Sequence, residues 1–178
     1  MTKKFILHAF NYGLILTGVQ VLLQLLIYIF DVDIFNILVT VLMQLATVVF
    51  ITWWMAWSSI KFRDKQLEGR ISFLQCWLMG ISVGLVATIL VSIYSYVFYA
   101  FFDPEALQHQ AEKAMEMIEN NEYIPDEDKP AIIEGMADKF TPLKILRQSL
   151  ISSGIMAVVL SLIASLFVRK KEKSTETV

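Results

Sequence analysis

The chain is short of charge, of histidine, of cysteine and of proline, and each shortage closes off a class of function. Charged residues make up 18% of the 178 residues, against roughly 25% in a soluble globular domain. Cys76 is the only cysteine, so no intrachain disulfide can form. A lone thiol in an apolar run reads as a small packing residue and not as a reactive group. The only histidines are His8 and His109. They lie far apart, in segments expected on opposite sides of a membrane, which excludes a histidine-rich metal site and leaves a His-based triad without support. The long apolar runs hold no carboxylate, lysine or arginine in their deep parts. That argues against a proton-coupled transporter, which usually depends on intramembrane ionisable groups. There is no internal repeat of the kind secondary transporters show.

What the chain does have is apolar length. Hydrophobic residues reach 56% and gather in four blocks, at about 5–30, 34–60, 71–102 and 142–168. Each is near or above the roughly 20 residues that a hydrocarbon core requires. The expected fold is an all-α membrane protein: a four-transmembrane-helix bundle with a small helical periplasmic insertion between the third and fourth helices. The start, Met1-Thr2-Lys3-Lys4-Phe5, has the charge of a signal peptide. The apolar run behind it is too long, however, and lacks an A-x-A site, so it reads as a retained first span. Asp31-Val32-Asp33 is short enough to make the first two spans an antiparallel hairpin. Asp103-Pro104 ends the third span, and Thr141-Pro142 starts the fourth, with Thr as N-cap and Pro in the first turn.

Charge placement sets the expected orientation. Lys3 and Lys4 stand without acids, and residues 61–70 and the tail 169–178 each carry four basic and two acidic side chains. Residues 103–144 carry eleven acids and four bases, a net of −7. Basic segments stay in the cytoplasm, so both termini and the 61–70 loop are expected inside, with 103–141 an acidic external insertion and 169–178 a basic cytoplasmic tail. Trp53, Trp54 and Trp57 near one interface, and Tyr94, Tyr96 and Tyr99 near the other, read as aromatic belts.

Small residues at a repeat of four let helix backbones approach in lipid. Gly80, Gly84, Thr88 and Ser92 form one such row and Ser153, Ala157, Ser161 and Ser165 another, so the third and fourth spans are expected to pack along them. Ala9, Gly13 and Thr17 make a shorter row, and a homodimer is the competing use of such a face. Gln20, Gln24 and Gln44 are the notable polar residues inside the blocks. Antiparallel spans would bring Gln20 and Gln44 to similar depth, where a mutual hydrogen bond would satisfy both amides.

The insertion is too short for a core of its own, yet it is patterned. Leu107, Ala111, Met115 and Ile118 recur at helical spacing from residue 105 to about 122. After a break at Tyr123-Ile124-Pro125, a second short helix near Pro130 offers Ile132, Ile133, Met136 and Phe140. These apolar stripes, with Leu107, Met115, Ile118, Ile132, Ile133, Met136 and Phe140 as the candidate surface, call for cover from each other, the bundle or a partner. The run Asp126-Glu127-Asp128 lacks EF-hand spacing and reads as a solvated acidic face. His109 with Glu105 or Glu112 could pass a proton at the interface, but a single histidine on a solvated helix reads first as surface. No catalytic residue, cofactor site or metal site is assigned, and no nucleic-acid partner is expected.

The ordered combination of these features resembles the DUF4199 family. It consists of the loop Arg63-Asp64-Lys65-Gln66-Leu67-Glu68-Gly69-Arg70 running into Ile71-Ser72-Phe73, then Gly80, then the aromatic stretch from Tyr94 to Phe102 into Asp103-Pro104. The Met/Glu/Lys-rich external helix and a last span ending at Arg169-Lys170-Lys171 complete it. Glu68-Gly69 departs from the pattern, since relatives often show two glycines there. The resemblance implies a small protein of the bacterial inner membrane, mainly of Bacteroidetes, with no catalytic residues to carry over and with polyprenyl-phosphate glycosyltransferases as genomic neighbours. The resulting expectation is a non-enzymatic accessory or scaffold protein that contacts membrane lipids and binds a partner membrane protein or a second copy. The alternative is a homo-oligomeric transporter or flippase for a small or lipidic substrate. A lipid-directed enzyme using His109 is the third reading.

Overall fold

The computed structural model describes residues 2–30, 32, 36–137 and 140–168. The expected roles of Asp31 and Asp33, of the first residues of the second span and of the basic tail 169–178 fall outside the described residues. The described chain is all-α: α1 (Thr2–Ile29), α2 (Ile37–Gln66), α3 (Phe73–Val97), a π-helical turn (Phe98–Phe102), α4 (Pro104–Glu119), α5 (Lys129–Ala137) and α6 (Pro142–Val168). Four helices are long and apolar enough to cross a membrane: Lys3–Ile29, Ile37–Gln66, Phe73–Phe102 and Pro142–Val168.

The helix starts are written in local chemistry. The Asn36 side chain accepts from the Leu38 and Val39 amides and opens α2. Ser72 and Gln75 form a complete capping box at α3, satisfying two otherwise orphaned donors. The Thr141 hydroxyl accepts from Lys144 N–H at 3.4 Å ahead of Pro142. Where α2 stops differs from expectation. It runs to Gln66 instead of ending near Ile60, because Lys61, Arg63, Lys65 and Gln66 are good helix formers even though they are polar. The turn comes at Glu68 and Gly69, with φ of 51° and 82°. Both therefore sit in the left-handed region that glycine enters without steric cost, which explains why two glycines suit this turn.

Helix α3 is the hub. It packs most extensively on α6, then on α1, and more lightly on α2. The α3–α6 contact is antiparallel and close. A Cβ placed on Gly80 would lie 2.7 Å from Ser161 Cβ and 3.3 Å from its Cα, and one on Gly84 would lie 2.6 Å from Ala157 Cβ. Further along, the Ser92 and Ser149 hydroxyls are 2.9 Å apart. Gly80, Gly84, Thr88, Ser92, Ala157, Ser161 and Ser165 are all buried. Ser153 is not: it is exposed. A row with a strict repeat of four turns by about 40° at each step on a helix of 3.6 residues per turn. Ser153 is two steps from Ser161 and so leaves the seam.

The expected antiparallel pairing of α1 with α2 is present, but α1 packs more extensively on α3. Helix α1 docks on α3, with Gly13 against Val86 and the Val83 carbonyl. It meets α2 through Phe5 and Phe62, His8 and Ser58, and Tyr12 with Trp54 and Trp57, all toward the end of the bundle that holds the α2–α3 loop. There the buried Trp54 donates its indole N–H to the Tyr12 carbonyl at 3.1 Å, so this ring is a packing element, whereas Trp53 is exposed in the manner of a belt residue. Toward the other end α1 and α2 part. Gln20 is half-buried and Gln44 is exposed. No hydrogen bond joins them.

Candidate functional site

The end of the bundle that carries α4 and α5 holds a cavity of about 690 Å³, within the roughly 300–1,000 Å³ usual for small-molecule sites. Three elements build it. The last turns of α1 supply Gln24, Ile27 and Tyr28. The end of α3 and the π turn supply Tyr94, Ser95, Phe98 and Tyr99. One face of α4, with Asp103 at its head, supplies Ala106, His109, Gln110 and Lys113.

The π turn positions the aromatic wall. Short π segments inside helices recur at functional sites because the extra residue re-aims the side chains around it. Here Phe98 becomes the centre of a ring cluster. Tyr28 meets it edge-on with centroids 5.2 Å apart, Tyr99 meets it edge-on at 5.4 Å, and Tyr94 lies tilted at 6.0 Å. Asp103 then ends the turn and starts α4. One carboxylate oxygen accepts from the Ala106 amide at 2.9 Å, capping the helix. The other accepts from the Tyr28 hydroxyl at 2.6 Å. The hydrogen bond from Tyr28, with the amide of Ala106, holds the Asp103 carboxyl below the usual aspartate range. Asp103 thus stays ionised, and it ties α4 to α1 across the mouth of the cavity. Gln110 donates to the Tyr99 hydroxyl at 3.2 Å and ties α4 to the π turn as well.

Residues singled out from the sequence fall in several places. Gln24 lines this cavity. Leu107 is buried, 4% exposed, so it holds α4 down and is not available to a partner. Met115, Ile118, Ile133 and Met136 are half-buried, and α4 packs on α5; Phe140, beyond α5, is half-buried as well. Of the stripe residues only Ile132 is exposed. His109 Nδ1 lies 3.7 Å from Glu112 on an open helix surface, and Glu105 is exposed. Asp126 pairs with Lys129 at 2.6 Å, and this ion pair lowers the Asp126 carboxyl below its usual range. Among the described residues no group of three or more His, Cys, Asp or Glu could hold a metal ion. Tyr28 and Asp103 were not recognisable as a pair, because 75 residues separate them in sequence; Asp103 carried only a helix-ending signal and Tyr28 carried none.

These features define an all-α, multi-pass membrane protein with four helices long and apolar enough to cross a bilayer among the described residues. Residues 11–170 match the family model described as "Protein of unknown function (DUF4199)", and the chain belongs to that family. No curated protein and no solved structure matches it.

Proposed function

We propose that this protein is a non-enzymatic accessory or scaffold subunit of the bacterial inner membrane that binds a partner membrane protein within the bilayer. In this reading both termini and the α2–α3 loop are cytoplasmic, and α4, α5 and the cavity face the periplasm. The charge asymmetry supports it: basic residues dominate 61–70, and residues 103–144 carry a net of −7.

The observation that carries the partner is Gln44. It lies seven residues into α2, about 10 Å along the helix, is exposed, and has no hydrogen-bonding partner among the described residues. A primary amide facing hydrocarbon costs free energy that a neighbouring helix can recover. The large apolar residues around it, Val41, Leu42 and Leu45, are exposed as well. They form a polar-centred stripe suited to a second helix. The close contacts at Gly13, Gly80 and Gly84 favour a packed platform over a transport path at those depths.

Purification from native membranes in mild detergent tests the proposal. A stoichiometric membrane enzyme should co-purify, a polyprenyl-phosphate glycosyltransferase being the first to look for, and Gln44→Leu should release it while leaving the bundle folded. Recovery of a homo-oligomer alone, or a partner retained unchanged by Gln44→Leu, would overturn it.

A further inference from the structure

The cavity beneath α4 has a chemistry that the partner reading does not use. Its charges are ordered along one helix face. Asp103, Ala106, Gln110 and Lys113 follow at steps of three, four and three, which keeps them on one side of α4, and all four line the cavity. The ten residues from Asp103 to Lys113 span roughly 15 Å of helix at 1.5 Å per residue. The anionic end lies in the ring cluster of Tyr28, Phe98 and Tyr99. Further along come amide and imidazole N–H groups, and then the ammonium of Lys113.

Each end selects a group. Asp103 accepts from the Tyr28 hydroxyl and from the Ala106 and Glu105 amides, and an ionised carboxylate can accept about four hydrogen bonds, so it has room for one more donor. A carboxylate beside aromatic rings attracts an ammonium, by charge and by the negative faces of the rings. The net of −7 across 103–144 disfavours a ligand whose overall charge is negative, yet Lys113 and the second amide N–H of Gln110 offer a local seat for a phosphate oxygen. The location adds the third constraint. The cavity spans the boundary between the last apolar turns of two candidate membrane helices and a polar helix, which is the depth of lipid headgroups. Its volume of about 690 Å³ takes a headgroup and the adjoining glycerol.

We propose that this cavity binds the headgroup of a zwitterionic phospholipid, with its ammonium at Asp103 among the aromatic rings and its phosphate toward Gln110 and Lys113. Ethanolamine and choline lipids share this chemistry. The inference is independent of the partner proposed for Gln44, because it rests on α1, α3 and α4 and not on the exposed face of α2.

Native mass spectrometry of the full chain, released from nanodiscs of equimolar ethanolamine, choline and glycerol phospholipids, tests it. Ethanolamine or choline lipid should be retained at least tenfold over the glycerol lipid, and the ratio of those two shows whether the site reads a primary or a quaternary ammonium. Asp103→Asn keeps the helix cap, since Asn caps as well as Asp, and should lower the retained zwitterionic lipid about tenfold. Lys113→Gln, at an exposed position that cannot threaten the fold, should lower it severalfold. Retention without headgroup preference, preference for the glycerol lipid, or wild-type retention by both variants would each overturn the proposal.

Discussion

Adding one methyl group should have opposite effects at a glycine of the α3–α6 seam and at a glycine of α6 that faces open space. At Gly80 the new Cβ would sit 2.7 Å from Ser161 Cβ and 3.3 Å from Ser161 Cα, about 1 Å inside the ordinary carbon–carbon contact of roughly 3.5–4.0 Å. The obstacle is the main chain and first side-chain carbon of α6, so no rotamer change relieves it and the helices must move apart. Overpacking of this kind costs about 1–3 kcal/mol. The better helix propensity of alanine offsets about 1 kcal/mol of that, leaving Gly80→Ala net destabilising by up to about 2 kcal/mol. At Gly154 nothing lies within 4 Å of the added carbon, and Gly154→Ala should stabilise by roughly 0.5–1 kcal/mol through the backbone alone. Reversible unfolding in mixed micelles, followed by tryptophan fluorescence, reads both. The double variant Gly80→Ala with Ser161→Gly removes the opposing carbon and should regain most of the loss. If Gly80→Ala matches Gly154→Ala, or if the double variant regains nothing, α3 and α6 do not meet at this seam.

Two further tests follow from local geometry. Gly69 has a φ of 82° with open space around it, so Gly69→Ala should cost about 1–2 kcal/mol from backbone conformation alone; an unchanged unfolding midpoint would contradict the left-handed turn. Asp103 has a carboxyl pKa lowered by Tyr28 and the Ala106 amide, so the folded chain binds fewer protons there than the unfolded chain. Its contribution is present above the unfolded value of about 3.9 and is lost as pH falls through the lower folded value. Tyr28→Phe should move the Asp103 titration, read by carboxyl-carbon NMR, back up toward the ordinary range, and an unmoved titration would sink the Tyr28–Asp103 link.

The spans were legible because hydrocarbon imposes a length and a composition on any helix that crosses it. The start of α6 at Pro142 and the capped starts elsewhere follow from side chains that satisfy orphan amides. The seam of Gly80 and Gly84 against Ser161 and Ala157 has the small residues that close approach demands. What stayed hidden was tertiary. The more extensive packing of α1 on α3 than on α2 depends on which faces fit, and short loops alone do not decide that. The π turn at Phe98–Phe102 has no sequence signature, since an aromatic run continues a helix as well as it bends one. The cavity required Tyr28 and Asp103 to meet, and nothing in their local sequence announces it. The extension of α2 to Gln66 was missed for a simpler reason: charge marks the membrane boundary, and a helix does not have to stop there.

Membrane orientation underlies both proposals, and single-cysteine labelling reads it most directly. With Cys76 replaced by serine, a cysteine is placed either at Tyr123, 97% exposed between α4 and α5, or at Gln66, exposed at the end of α2. A thiol reagent that crosses the outer membrane but not the inner one should label Tyr123→Cys in intact cells and Gln66→Cys only after the inner membrane is opened. Labelling of both positions in intact cells, or of Gln66→Cys alone, would contradict a four-span bundle with α4 and α5 on the periplasmic face.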